Sequence, residues 1–237
     1  MTLVPSTFIY ALIAGIIPSV VWLLFWLRED NVNPEPRSML AAVFIGGIIS
    51  VIVAIFAEKY IADMVSDQTT RYAAWAAVEE IVKFIAVALI ALSSKQDDEP
   101  IDAMIYCITV ALGFAAFENF LFALNPASAG NLAQSIVNDN MRFIGATLVH
   151  VVCTASIGFA LGWTYYRSYI SKIVAFVIGL GCAVSMHAAF NLSIINSGPD
   201  QTLQAFGWVW GAVILLMVLF EEIKVVGPKN ETPAPAR

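Results

Sequence analysis

Charge is scarce in this chain: Asp, Glu, Lys and Arg make up only 13% of 237 residues, while 59% are hydrophobic. With a mean hydropathy of +0.80, the apolar surface exceeds what one soluble core can bury, so lipid must act as solvent. A basic patch is also lacking, and no nucleic-acid partner is expected. Cysteine is limited to Cys107, Cys153 and Cys182. They are odd in number, lie in apolar stretches and lack metal-ligand spacing, which excludes a disulfide framework and reads as three small buried hydrophobes. No internal repeat is visible, which argues against the inverted-repeat architecture of many secondary transporters. The first apolar segment has no basic residues before it and no small-residue cleavage site after it, so it reads as a retained span.

What is present is a succession of apolar stretches of about 20 residues, each long enough to cross ~30 Å of hydrocarbon as a helix. The predicted fold is all-α, a polytopic transmembrane bundle of about seven spans: 6–27, 39–59, 72–93, 101–124, 143–166, 172–196 and 203–220. Connectors rich in Pro, Asn, Gly and charge separate them, as at Arg28–Arg37 and Lys95–Pro100. Residues 1–226 read as one membrane domain, and 227–237, with three prolines and no apolar run, as a disordered cytoplasmic tail. Small residues at helix-contact spacing, Gly158 with Gly162 and Gly179 with Ala183, predict close helix packing.

Lysine and arginine counts set the expected orientation. One face carries Lys59, Arg71 and Arg142; the other carries Arg28, Arg37, Lys95, Arg167, Lys172, Lys224, Lys229 and Arg237. The basic-rich face is the cytoplasmic one, which puts the N-terminus outside and the C-terminus in the cytoplasm, in what is expected to be a prokaryotic cell membrane. Lys83 is the one basic residue within a span.

The few ionisable groups inside spans are the informative residues. Of the carboxylates only Glu79, Glu80 and Glu118 lie away from loops and span ends, and both histidines of the chain, His150 and His187, are also inside spans. Each charged side chain at mid-helix costs ~2.5–3.5 kcal/mol to insert, so Glu79, Glu80, Lys83 and Glu118 carry a penalty on the order of 10 kcal/mol before pairing. A bundle needing only stability would place leucine there. Counted inward along their helices, the five groups lie within ~9–14 Å of one face. The spacing lets Lys83 pair with Glu79 (i, i+4) or Glu80 (i, i+3). His187 and Asn191 are i, i+4 on the stripe Gly179, Ala183, His187, Asn191, and Thr147, His150, Thr154 and Gly158 make a second small or polar stripe. Each residue alone has a structural reading as interhelical glue, Asn119 and Asn191 especially; together they point to a functional centre.

These elements resemble the pattern of the PrsW family of intramembrane proteases, related to the type II CAAX-prenyl proteases. Glu79-Glu80-Ile81-Val82-Lys83 matches E-E-x-x-K, and Gly113-Phe114-Ala115-Ala116-Phe117-Glu118-Asn119 matches G-F-x-x-x-E-N. His150 with Thr154, Ala155 and Gly158 follows, and His187-Ala188-Ala189-Phe190-Asn191 matches H-A-x-x-N. The resemblance covers residues 72–196 and implies a four-helix catalytic core there. It departs from the CAAX branch in having Glu118 where that branch has histidine and Lys83 where it has an arginine one residue later, so membrane-anchored rather than prenylated substrates are expected, an anti-sigma factor being one example.

Peptide hydrolysis needs an activated water, a stabilised oxyanion and a proton for the leaving amine. Glu79 or Glu80 is the candidate base, oriented by Lys83, with His150, His187 and Asn191 as oxyanion donors in a metal-free route. Alternatively a divalent ion, zinc foremost, sits on His150, His187 and Glu118 with an open position for water; H-E-x-x-H spacing is absent. Two other classes stay open: a proton-coupled transporter, and a haem protein with His150 and His187 as axial ligands.

Overall fold

The computed structural model describes residues 5–28, 33–124, 145–195 and 199–228. Among these, seven α-helices follow one another: α1 (Pro5–Trp26), α2 (Arg37–Met64), α3 (Gln68–Val87), α4 (Asp102–Ala123), α5 (Thr147–Trp163), α6 (Tyr169–Ile195) and α7 (Pro199–Lys224). A five-residue π turn, Ala88–Leu92, extends α3. Each helix coincides with one predicted apolar stretch. Five of them, α1, α2, α4, α6 and α7, are long and apolar enough to cross a bilayer. The count of seven spans is not reached by that criterion, for two physical reasons. Helix α5 is only 17 residues long, and α3 carries Arg71, Glu79, Glu80 and Lys83, which dilute its apolar character.

Helix α4 is the centre of the bundle. Its most apolar stretch is 72% buried, and α1, α2 and α5 pack around it. Close approach depends on glycine. A methyl group at Gly47 would stand 2.1 Å from the Val110 carbonyl oxygen, and one at Gly113 would stand 2.0 Å from that of Phe44, so α2 and α4 touch backbone to backbone. The predicted Gly158/Gly162 stripe does the same for α5: a Cβ at Gly158 would lie 2.5 Å from Ala103 O, and one at Gly162 2.1 Å from Pro100 O. Without a hydrophobic drive between helices in lipid, such van der Waals contact is the main source of association. The outward faces of α1, α2, α6 and α7 expose Ile9, Ile13, Phe56, Val177 and Ile214, as a lipid-facing belt should. Cys182 lies on such a face and is exposed, contrary to the expectation of three buried thiols; Cys107 and Cys153 are buried.

Helix α3 begins with a side-chain cap. Asp67 accepts from the Thr70 hydroxyl at 2.7 Å and the Thr70 amide at 2.8 Å, and these bonds, hydroxyl first, hold its carboxyl below its ordinary range. Trp75 Nε1 donates to the Glu58 carbonyl at 3.0 Å, pinning α3 to α2. At the opposite end of the bundle, Tyr106 donates to Glu35 and Tyr165 to the Asp97 carbonyl at 3.0 Å. Burial, reinforced by the neighbouring Asp102 charge, pushes the Asp97 carboxyl up to about 6. The segment 125–140, Arg142, and the tail from 229 onward lie outside the described residues.

Candidate active site

Helix α3 turns one face inward, Ala76, Glu79, Glu80, Lys83 and Val87, and the three ionisable residues on it meet side chains from α4, α5 and α6. Glu80 is the hub. Its Oε1 accepts from Lys83 Nζ at 2.5 Å and lies 2.8 Å from His187 Nδ1, while Oε2 accepts from the Thr154 hydroxyl at 2.8 Å. Glu80 and Lys83 are fully buried, so the pair must satisfy itself within the protein, and these bonds do so. The ammonium has two further neighbours, His150 Nδ1 at 3.1 Å and the Phe114 ring at 4.8 Å. Lys83 thus pairs with Glu80 in place of the i, i+4 alternative Glu79.

Glu79 lies between the imidazoles. Its Oε2 is 3.8 Å from His150 Nδ1 and 3.7 Å from His187 Nε2, a range too long for hydrogen bonds. That oxygen is buried and has no hydrogen-bond partner. The two imidazole rings meet edge to face, centroids 5.0 Å apart. Glu118, half-buried on α4, lies 3.1 Å from His150 Nε2, and Asn119 donates to the Thr147 hydroxyl at 3.0 Å, joining α4 to α5. Asn191 lines the same cavity. Seven of the eight predicted site residues therefore belong to one constellation on four helices, and the eighth, Asn119, ties α4 to α5 beside it.

The cavity has a volume of about 660 Å³ and is bounded by Glu58, Tyr72, Trp75, Glu79, Glu118, His150, His187 and Asn191, among others. Glu58 is the residue that sequence reasoning missed. An apolar stretch ending at residue 59 makes Glu58 an interfacial carboxylate, but α2 continues to Met64. The continued helix brings Glu58 to the wall of the cavity that Glu79 and Glu118 also line. The uninterrupted helical sequence from Ala54 to Met64, without Gly or Pro, was the available signal.

Glu79, His150 and His187 form a set whose donor atoms all lie within 4.8 Å of one another. Two imidazoles and a carboxylate suit a divalent ion such as zinc, and the partnerless Oε2 of Glu79 is an atom that such an ion would satisfy. Glu80 behind His187 matches the carboxylate that supports a ligating histidine. The donor chemistry therefore fits a metal, with Glu79 in the place expected for Glu118. Axial ligation of haem by the two histidines would need a porphyrin plane between them, and rings in edge-to-face contact leave no room for it.

The profile described as "PrsW family intramembrane metalloprotease" matches residues 35–220. A curated protease PrsW from Geobacillus kaustophilus is 31% identical over 127 residues, 52% of this chain and 56% of that protein. The protease PrsW of Bacillus subtilis is 20% identical over 75% of this chain and 79% of its own length, and that of Clostridioides difficile 27% identical over 65% and 63%. The matched stretch thus spans little more than half of the first of these relatives. No solved structure matches the chain significantly.

Proposed function

The chain belongs to the PrsW family of intramembrane metalloproteases, and from that premise we propose that it hydrolyses a peptide bond of a membrane-anchored protein at the centre where α3, α4, α5 and α6 converge. The observation that carries this reading is the Oε2 atom of Glu79, buried without a hydrogen-bond partner between two histidines and beside a 660 Å³ cavity. An orphaned carboxylate oxygen is costly for a structural protein and useful to a catalytic one.

In this reading Glu79, His150 and His187 would hold the ion, and α3–α6 form the catalytic core. A bound zinc polarises a carbonyl and makes its water a nucleophile near neutral pH. The remaining work falls to the protein. Glu80, as the partner of an ammonium, only accepts hydrogen bonds, so it fixes the proton of His187 on Nδ1 and leaves Nε2 directed at Glu79. Lys83 neutralises Glu80 so that two adjacent glutamates can be buried together. Glu118, beside His150 at the half-buried edge of the cavity, is the group available to accept a proton from water and return it to the leaving amine. Asn191 is available as a donor to the developing oxyanion.

We place all seven helices in the membrane, α3 and α5 crossing because the surrounding helices shield their polar faces. The lysine and arginine count puts the N-terminus and the site's end of the bundle outside, so the cut falls near the outer end of the substrate's span. The test is to purify the protein in detergent, measure bound metal, and incubate it with single-span substrates, reading the cut by mass spectrometry. Cleavage that is lost with chelator and restored by zinc is expected. No cleavage of any substrate by metal-loaded protein would overturn the reading, and a cut in the inner half of the span would overturn the orientation.

A further inference from the structure

A second cavity, about 290 Å³, lies on the other side of the α5–α6 pair from the glutamates, walled by Val149, Val152 and Cys153 of α5, Met186, Ala189, Phe190 and Ser193 of α6, and Ala205, Trp208, Val209 and Ala212 of α7. Its residues on α5 and α6 bracket His150 and His187, so it lies at the depth of the active site. The two cavities have Val149 and Phe190 in common, and Phe206, which lines the catalytic one, stands beside Phe190 with ring centroids 6.2 Å apart. Phe206 rests where a side chain is missing: a Cβ on Gly145 would fall 1.8 Å from its ring. One aromatic partition therefore separates an apolar groove from the catalytic cavity.

The groove opens outward. Ala189, Ser193 and Trp208 are exposed, and along the same side of α6 the exposed residues Gly181, Ser185, Ala189 and Ser193 repeat at i, i+4. Gly181 has nothing within 4 Å of the place a Cβ would take. The serines present no free donor, because Ser185 donates to the Gly181 carbonyl and Ser193 to that of Ala189, each at 2.7 Å. Small residues spaced in this way let a second helix backbone approach closely in lipid. An acyl chain would gain nothing from the spacing.

Resting on the proposed peptidase function, we infer that this groove between α6 and α7 is where the transmembrane helix of a substrate docks from the lipid, with Phe206 as the partition past which its unwound end reaches the catalytic cavity. The occupant is an apolar helix with small residues on its docking face. It is selected by the fit of its backbone along α6 and by apolar side chains that fill the space in front of α5.

The experiment places a photo-crosslinking residue at Ser193, at Trp208 and, as a control on a lipid-facing site of α2, at Ile52, in the full chain carrying E118Q to prevent turnover. Each protein is reconstituted in vesicles with a single-span substrate that the unmodified protein cleaves. Adducts with the substrate at 193 and 208 and none at 52 are expected; adducts with lipid alone, with a second copy of the chain alone, or equally at all three positions overturn the inference. In parallel, Ala212→Phe fills the groove and should lower kcat/KM for the spanning substrate about tenfold or more at unchanged melting temperature. Unchanged turnover in that variant overturns the groove and leaves the peptidase reading intact, whereas no cleavage by the unmodified, metal-loaded protein overturns both.

Discussion

His187 Nδ1 is hydrogen-bonded to Glu80 at 2.8 Å, and that bond decides which nitrogen of the ring faces Glu79. The two adjacent glutamates of α3 consequently differ in environment. Glu80 is fully bonded, to an ammonium, an imidazole and a hydroxyl; Glu79 keeps an oxygen with no partner. In the proposed mechanism, neighbours in sequence thus divide into a group that supports a histidine and a group that would hold the ion.

That division separates three glutamine variants. Glu79→Gln should lose bound zinc together with cleavage. Glu118→Gln should keep the metal and the fold while cleavage falls by about 10²–10⁴-fold, the usual share of a general acid–base group. Elemental analysis alongside turnover distinguishes them; full metal content in Glu79→Gln would return that residue to the role of base.

Glu80→Gln should act on the fold first. It leaves the Lys83 ammonium buried without its carboxylate, a change that typically costs ~3–5 kcal/mol. The melting temperature in detergent should fall well below that of Glu79→Gln. A Glu80→Gln/Lys83→Met double variant, which removes both charges, should recover much of the loss, and if it melts no higher than the single variant the pair is not a buried ion pair in the membrane.

The backbone contact of α2 with α4 makes a steric prediction. Gly113→Ala puts a methyl group 2.0 Å from the Phe44 carbonyl oxygen, and because that neighbour is backbone the helices must part, at an overpacking cost of ~1–3 kcal/mol. Gly211→Ala, where nothing lies within 4 Å, should melt like the parent. Equal melting of all three proteins would mean that the two helices are farther apart.

Asp97 sets a pH dependence at the opposite end of the bundle. With its carboxyl raised from near 3.9 to about 6, the folded protein holds that proton more tightly than the unfolded chain. Its contribution therefore turns unfavourable as pH rises from about 4 to about 6. Asp97→Asn should melt higher than the parent at pH 8, with the gap closing towards pH 4. A gap of the same size at both pH values would assign the effect to packing.

Much of this was legible in the sequence because an ionisable residue is conspicuous in an apolar helix. Glu79, Glu80, Lys83, Glu118, His150 and His187 stand out by position alone, and helical rise gives their common depth. Rotation about each helix axis is what the count does not supply. Whether Glu79 or Glu118 completes the donor set with the histidines depends on how α3 and α4 are turned relative to α5 and α6, and for α4 this turn is constrained by glycine contacts to α2 and α5 such as Gly113 on Phe44 and Gly158 on Ala103. Glu58 escaped for a different reason: near the end of an apolar run, a carboxylate looks the same whether it meets headgroups or lines a cavity.

The burial of α4 on nearly all sides also has a consequence in time. The chain is made from its N-terminus, so α1, α2 and α3 are present when α4 is synthesised, and α5 is not. Glu118 must wait 32 residues for His150, and Asn119 must wait 28 for Thr147. Through that interval one flank of the central helix, carrying a carboxylate and an amide, faces the insertion machinery or lipid. Until α5 arrives, the nascent bundle has its scaffold in place and its polar centre open, so the helices after α4 complete the site and also close it.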